Sequence, residues 1–469
     1  MAARRFRGDT QIMMDQRASL TLLPMRSALT TPKTGTDQAE TQVYRPFFVC
    51  GIVTVLTVGC LLGAVALLGI AGQASYTASV WTPFVLAHAN SQLFGWVGFF
   101  VMGFAMQQHG TTLAKRDLFH RVAWWALGTM GAGIALRFAA EPLAQADPDR
   151  WRWLGVLSAT LQLVAVLLFC YNSGSNRFRT GKSLTWPTTF VFGSLGCLLL
   201  VSVAEPLAFA LSHQTDKGAS ISFVAEWFTP LREVQFLGFV AMMIFGVAAS
   251  KFPGCLGFRA ADPQWGLTAF GLWAVGLVLR VLGWSCYFRS GLMPGADLWF
   301  RMGGALLAFG AIAMCVSLGV FSPVRHANHS QKFIRAAFSW LLGAGGLLLF
   351  EPFHLASMGA PFSHAYTGAI RHAVTVGFIS QMIIGVGYHL VTRMLMRDER
   401  SAPALWSVFI LLNLGNAARV MLEILTDLNR AAFLPMGWTG FIELTGLAIW
   451  SAVMLRLLLG GKKALAQTC

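Results

Sequence analysis

Twelve apolar stretches recur along the whole chain, each about 20 residues long and so able to cross a hydrocarbon core ~30 Å thick. They lie near 46–70, 83–107, 119–141, 151–172, 186–210, 226–250, 265–288, 297–321, 333–356, 368–392, 404–426 and 436–460. Every backbone polar group has to be satisfied inside such a core, which leaves helices and closed barrels as the spanning forms. Barrel strands would be about 10 residues long and alternate polar with apolar, and these stretches do neither. Charged residues make up 12% of the 469 and hydrophobic ones 55%, against roughly 25% charged in a soluble domain. The chain reads as an all-α integral membrane protein of about twelve transmembrane helices in a lipid bilayer.

The net charge of +15 raises the question of nucleic acid, but the basic residues follow topology instead. If loops are numbered by side from the N-terminal tail, that tail and the loops on its side hold 24 of the 35 Lys and Arg, among them Arg4, Lys115, Arg177, Lys251, Arg335 and Arg397. By the positive-inside rule this side is cytoplasmic, with both termini. We therefore expect a multi-pass membrane protein and no nucleic-acid partner. Residues 1–44, rich in Thr, Gln and charge, are expected to form a disordered cytoplasmic tail, 45–460 the membrane domain, and 461–469 a short second tail. The eight cysteines show no CxxC spacing and fall mostly inside apolar spans, where they read as small buried hydrophobes.

Internal repetition organises the membrane domain. HANSQLFGWVGFFVMGFAM (88–106), REVQFLGFVAMMIFGVAAS (232–250) and RHAVTVGFISQMIIGVGYH (371–389) each carry two glycines eight apart: Gly95 and Gly103, Gly238 and Gly246, Gly377 and Gly385. The following span contains GIALR, GLVLR or GNAAR, and the interval from first glycine to arginine is 42 residues each time, ending at Arg137, Arg280 and Arg419. Asn90, Glu233 and His372 share one register position. The spacing predicts three pseudo-equivalent four-helix units over about 45–172, 185–321 and 333–460. Glycines in the second helix of each allow close backbone approach.

An ionisable side chain inside the hydrocarbon is costly and marks function by default. His88 and His372 begin equivalent spans at one depth near the outward face, and imidazoles from facing helices are what an axial haem pair or a copper centre requires. His354 and His364, beside the outward connection before the tenth span, are further candidate metal ligands. Arg137, Arg280, Arg371 and Arg419 lie at the same depth. They pair with Glu141, Glu205, Glu351 or Glu423, or they clamp the carboxylates of a bound haem, which guanidinium meets bidentately.

HANSQLFGWVGFFVMGF resembles the second-helix signature of the NnrS family, bacterial membrane proteins of the nitric-oxide response. RHAVTVGFISQMIIGV is similar to that family's tenth-helix segment, and YRPFF (44–48) to its start. More distantly, a histidine opening the second helix and another in the tenth resemble subunit I of haem-copper oxidases, which has twelve helices in three arcs. The resemblance implies a haem-copper-oxidase-like fold, binding of haem and also copper, and His88 and His372 as the matching positions. It further implies nitric oxide or a related small ligand, and a role in nitrosative-stress tolerance with an electron donor the sequence does not name. Asn90 and Val374 stand where a second histidine would follow each of these two, and the seventh span has no histidine, so the ligands of an oxidase copper site are missing. Two alternatives remain open at this level: a nitric-oxide reductase-like oxidoreductase, with its catalytic residues unassigned, and a polytopic transporter, although carriers more often repeat in two halves.

Overall fold

The computed structural model describes residues 42–76, 80–110, 116–180, 184–324 and 326–460. Of the two expected tails, 1–41 of the first (1–44) and all of the second (461–469) lie outside these. The described residues form twelve helices long and apolar enough to span a bilayer, and no strand. They are α1 (Tyr44–Gln73), α2 (Thr82–Gln108), α3 (Asp117–Ala146), α4 (Pro148–Ser175), α5 (Trp186–Ser212), α6 (Lys217–Cys255), α7 (Pro263–Arg289), α8 (Leu298–Leu318), α9 (Ser330–Met358), α10 (His364–Met394), α11 (Trp406–Thr426) and α12 (Arg430–Gly460). All twelve predicted spans are present. The largest difference from the sequence-based bounds is α6, which starts at Lys217 rather than near 226. The Asp216 side chain caps it, accepting from the Gly218 and Ala219 amides, so the polar start of the helix is satisfied well before the apolar run begins. Arg232 and Glu233 consequently lie four turns inside α6 and not at its end.

In each unit the third and fourth helices pair along their length, and α4 packs on α5, α8 on α9 and α12 on α1, closing the units on one another. The second helices, α2, α6 and α10, form the inner layer. Their glycines explain this placement. A Cβ at Gly103 would stand 2.8 Å from Phe47 Cβ, one at Gly246 3.2 Å from Phe190 Cβ, and one at Gly385 3.0 Å from Phe333 Cβ. The three phenylalanines occupy equivalent places on α1, α5 and α9, so one glycine–phenylalanine contact is made three times.

The repetition extends to an irregularity. Each inner helix changes from α to π hydrogen bonding at the same register position: Ser91–Val97 in α2, Val234–Ala241 in α6 and Ala373–Ser380 in α10. The widened turns begin directly after Asn90, Glu233 and His372 and contain Gly95, Gly238 and Gly377. Such turns are rare and frequent at functional sites. Here they are also where the three inner helices meet one another.

At the opposite end of the bundle from His88, the α10–α11 connection is tied down by Glu399. Its Oε1 accepts from the Ser330 amide and hydroxyl, each at 2.6 Å, and its Oε2 pairs with His389 Nδ1 at 2.7 Å. Burial opposes the charged carboxylate, but the hydrogen bonds from His389 and Ser330 outweigh burial and hold it below the ordinary 4.5. A depressed carboxylate adds stability above its unfolded pKa and loses it as pH falls through the folded value. On acidification below about pH 4.5, wild-type protein in detergent should therefore lose more stability than Glu399→Gln. Parallel melting-temperature profiles for the two would show that this carboxylate contributes nothing.

Candidate functional site

Arg137, Arg280 and Arg419 are equivalent in the repeat, yet their surroundings differ. Arg137 of α3 donates Nε to Glu141 Oε1 at 2.6 Å and Nη1 to Glu205 Oε2 on α5 at 3.4 Å. Arg232 of α6 adds a bond from Nη1 to Glu205 Oε1 at 2.7 Å. Arg280 of α7 reaches Glu233 on α6 at 2.9 Å and Glu351 on α9 at 3.2 Å. In both places the arginine of one unit is matched by an acid on the first helix of the next. The third seam runs from unit three back to α1, and Tyr44–Gln73 contains no acidic residue. Among the described residues Arg419 accordingly keeps only its own Glu423, at 2.9 Å, and its Nε and Nη1 are buried without a partner there.

What occupies that third seam is a cavity of about 390 Å³ between α1, α2, α10, α11 and α12, with Arg232 and Phe236 of α6 at its edge. Its size falls in the range of small-molecule and cofactor sites, roughly 300–1,000 Å³. The wall is largely apolar, with Leu93, Trp96, Ile379, Leu412 and Leu447 among its residues. Its polar members include the two expected histidines, three arginines and two glutamates.

His88 sits two turns into α2. Its Nδ1 lies 2.8 Å from the Gly59 carbonyl oxygen, at the end of a π turn in α1 (Val55–Gly59) where the backbone leaves helical geometry with ψ −110°. The ring rests on Gly63, where a Cβ would be 2.5 Å from Nδ1. His372 of α10 places Nδ1 3.0 Å from the Gly368 carbonyl oxygen and 3.3 Å from Glu423 Oε2. A carbonyl only accepts, so each Nδ1 carries a proton, and in the neutral ring Nε2 is the lone pair. Fixing the tautomer through Nδ1 is how metal-binding imidazoles are commonly oriented. Two histidines on facing inner helices thus share one cavity, each with a basic nitrogen in reserve.

The remaining candidates divide. Arg371 lines the cavity and donates Nη2 to Thr229 of α6 at 3.0 Å; Arg419 and His364 line it too. His364, expected in a connection, is the first residue of α10, edge-on to Phe362. His354 is away from the cavity on α9, its Nε2 2.8 Å from Asp427 Oδ2 and its ring stacked on Tyr366. Arg137 and Arg280 are also outside the cavity wall, engaged by their glutamates. Gln92 and Glu443 of α12 also line the wall and are not among the sequence candidates, and Arg232, which belongs by sequence to the same ionisable belt, lies there with Nε and Nη2 buried and without a partner among the described residues. Glu443 carries the same signal as the others, an acid within an apolar span.

Comparison with known proteins adds one finding. No family model matches the chain, and no curated protein does. Among solved structures it is similar to one described as a haem-copper terminal oxidase dimer, with a TM-score of 0.59 over 92% of this chain and 84% of that one, at 12% sequence identity. At that identity the likeness is one of fold: twelve membrane helices in a haem-copper-oxidase-like arrangement.

Proposed function

We propose that this chain is a haem-binding protein of the bacterial inner membrane that serves the nitric-oxide response, with His88 and His372 as the protein ligands of a single haem and both termini on the cytoplasmic side. The observation that carries the proposal is the pair of imidazoles on α2 and α10, both with Nδ1 engaged and Nε2 unengaged, on the wall of one largely apolar cavity. The donor set fits a macrocycle with carboxylate edges. Arg419 and Arg232 bring buried guanidinium nitrogens that lack partners among the described residues, and Arg371 joins them on the wall. Copper would find the same two imidazoles; among the described residues no three His, Cys, Asp or Glu groups gather as a metal site. Haem held by these residues would supply one-electron chemistry, and a small ligand such as nitric oxide would bind by displacing one of the two imidazoles.

The oxidase-like fold supports a membrane haem protein in general. The nitric-oxide role rests on the likeness of 88–104 and 371–386 to the NnrS signatures, and the orientation on the distribution of Lys and Arg. One haem per chain is expected because ion pairs occupy the two equivalent seams. Purified protein made with ample haem should show a Soret band that shifts on reduction, at one haem per chain, and nitric oxide should perturb it. Absence of that band under these conditions would sink the proposal.

A further inference from the structure

We infer that Glu443 is a redox-linked proton acceptor, taking up one proton from water for each electron delivered to the metal centre of the α2–α10 cavity. This rests on the haem reading above and goes beyond it. Two acids line the cavity, Glu423 and Glu443. Glu423 has a cation, Arg419, on its Oε1. Glu443 has no hydrogen-bond partner among the described residues, and its Oε1 is sealed from solvent. Its position is built for the stem to pass: Gly415 of α11 lies against it, and a Cβ there would come within 2.9 Å of Glu443 Cγ. The titratable and charged groups that act on it are Cys60 from α1, His372 from α10, and Arg419 and Glu423 from α11.

A buried carboxylate without a hydrogen-bonded cation is stable only beside net positive charge. The oxidised metal centre supplies one such charge. When an external one-electron donor reduces the metal, that charge is cancelled and the carboxylate keeps only the compensation of Arg419, which Glu423 already shares. Glu443 then binds a proton drawn from the aqueous phase. One electron and one proton enter, one O–H bond forms on the carboxyl, and the net charge of the cavity is unchanged.

The experiment is a spectroelectrochemical titration of the haem-loaded full chain between about pH 6 and 8. One proton per electron gives a tenfold change in the redox equilibrium per pH unit, about 59 mV. That slope is expected in wild type, largely retained in Glu443→Asp and flattened in Glu443→Gln. Reduced-minus-oxidised infrared spectra should gain a carboxyl C=O band that shifts in D2O and is missing from Glu443→Gln. A flat wild-type potential, an unchanged slope in Glu443→Gln, or no carboxyl band on reduction of wild type would each overturn the inference. If Glu443→Gln fails to fold, a flat potential or a missing band in wild type still overturns the inference, and a band that does not move in Glu443→Asp does so as well. A normal haem spectrum with a flat potential defeats this inference alone, whereas a chain that takes up no haem defeats the reading beneath it.

Discussion

Protein carrying His372→Ala should be purified without its Soret band, or with at least tenfold less haem than wild type, while its helical content and melting behaviour stay close to wild type. His372 is partly exposed to the cavity and its one strong contact besides the Gly368 carbonyl is the 3.3 Å approach to Glu423, so its loss removes the proposed ligand and little packing. His88→Ala should do the same, with a modest additional destabilisation because the imidazole also bridges α2 to Gly59 of α1. If a six-coordinate haem is bound, either single variant that retains any haem should show a five-coordinate spectrum. Wild-type haem content in both variants would mean that the two rings are interior histidines satisfied by backbone carbonyls and nothing more.

The second large effect is expected at Arg280, for an unrelated reason. Arg280 is almost completely buried between Glu233 and Glu351, with its guanidinium carbon 4.0 Å above the Phe300 ring. Arg280→Met leaves two carboxylates without their counter-charge, and removing one partner of a buried ion pair costs about 3–5 kcal/mol. Denaturant or thermal unfolding in detergent should register that loss, and Glu233→Gln added to Arg280→Met should recover part of it, since one stranded charge is removed. Haem content of whatever protein remains folded should be unaffected. Arg419→Met should behave in the opposite way, weakening haem retention with little effect on unfolding. Haem loss in the Arg280 variant at unchanged stability would restore the carboxylate-clamping role expected for it from sequence.

This contrast shows where sequence legibility ends. The twelve spans were readable because membrane helices are specified by length and apolarity alone, each segment by itself. The three units were readable because the glycine-to-arginine interval is local and repeated. Which of the three arginines faces the cavity was not readable. Arg137, Arg280 and Arg419 share the Gly-x-x-x-Arg pattern, Arg280 lacking only the acid that follows the other two by four residues, and the deciding difference lies in what a first helix of another unit offers them: Glu205 at a separation of 68 residues, Glu351 at 71, and on α1 no acid. Sequence argument could name Glu205 and Glu351 as partners without knowing that the third seam lacks one. The start of α6 was missed because Asp216 caps a segment whose hydropathy had not yet risen. Glu443 could have been named from the rule that singled out the histidines.

The π turn of α10 has a geometric consequence. A π turn accommodates one residue more than an α turn, and one residue of α-helix corresponds to about 100° of rotation. It therefore acts as a phase shifter between the two halves of one rod: His372, ahead of it, looks into the cavity, while Gly385, beyond it, meets Phe333 of α9. Excising a single residue from Ala373–Ser380 would let the rod wind evenly and would swing the ligand half by that angle, carrying His372 off the wall with every side chain of the glycine half still seated. The aim of the imidazole is held by a count of residues as much as by any contact it makes.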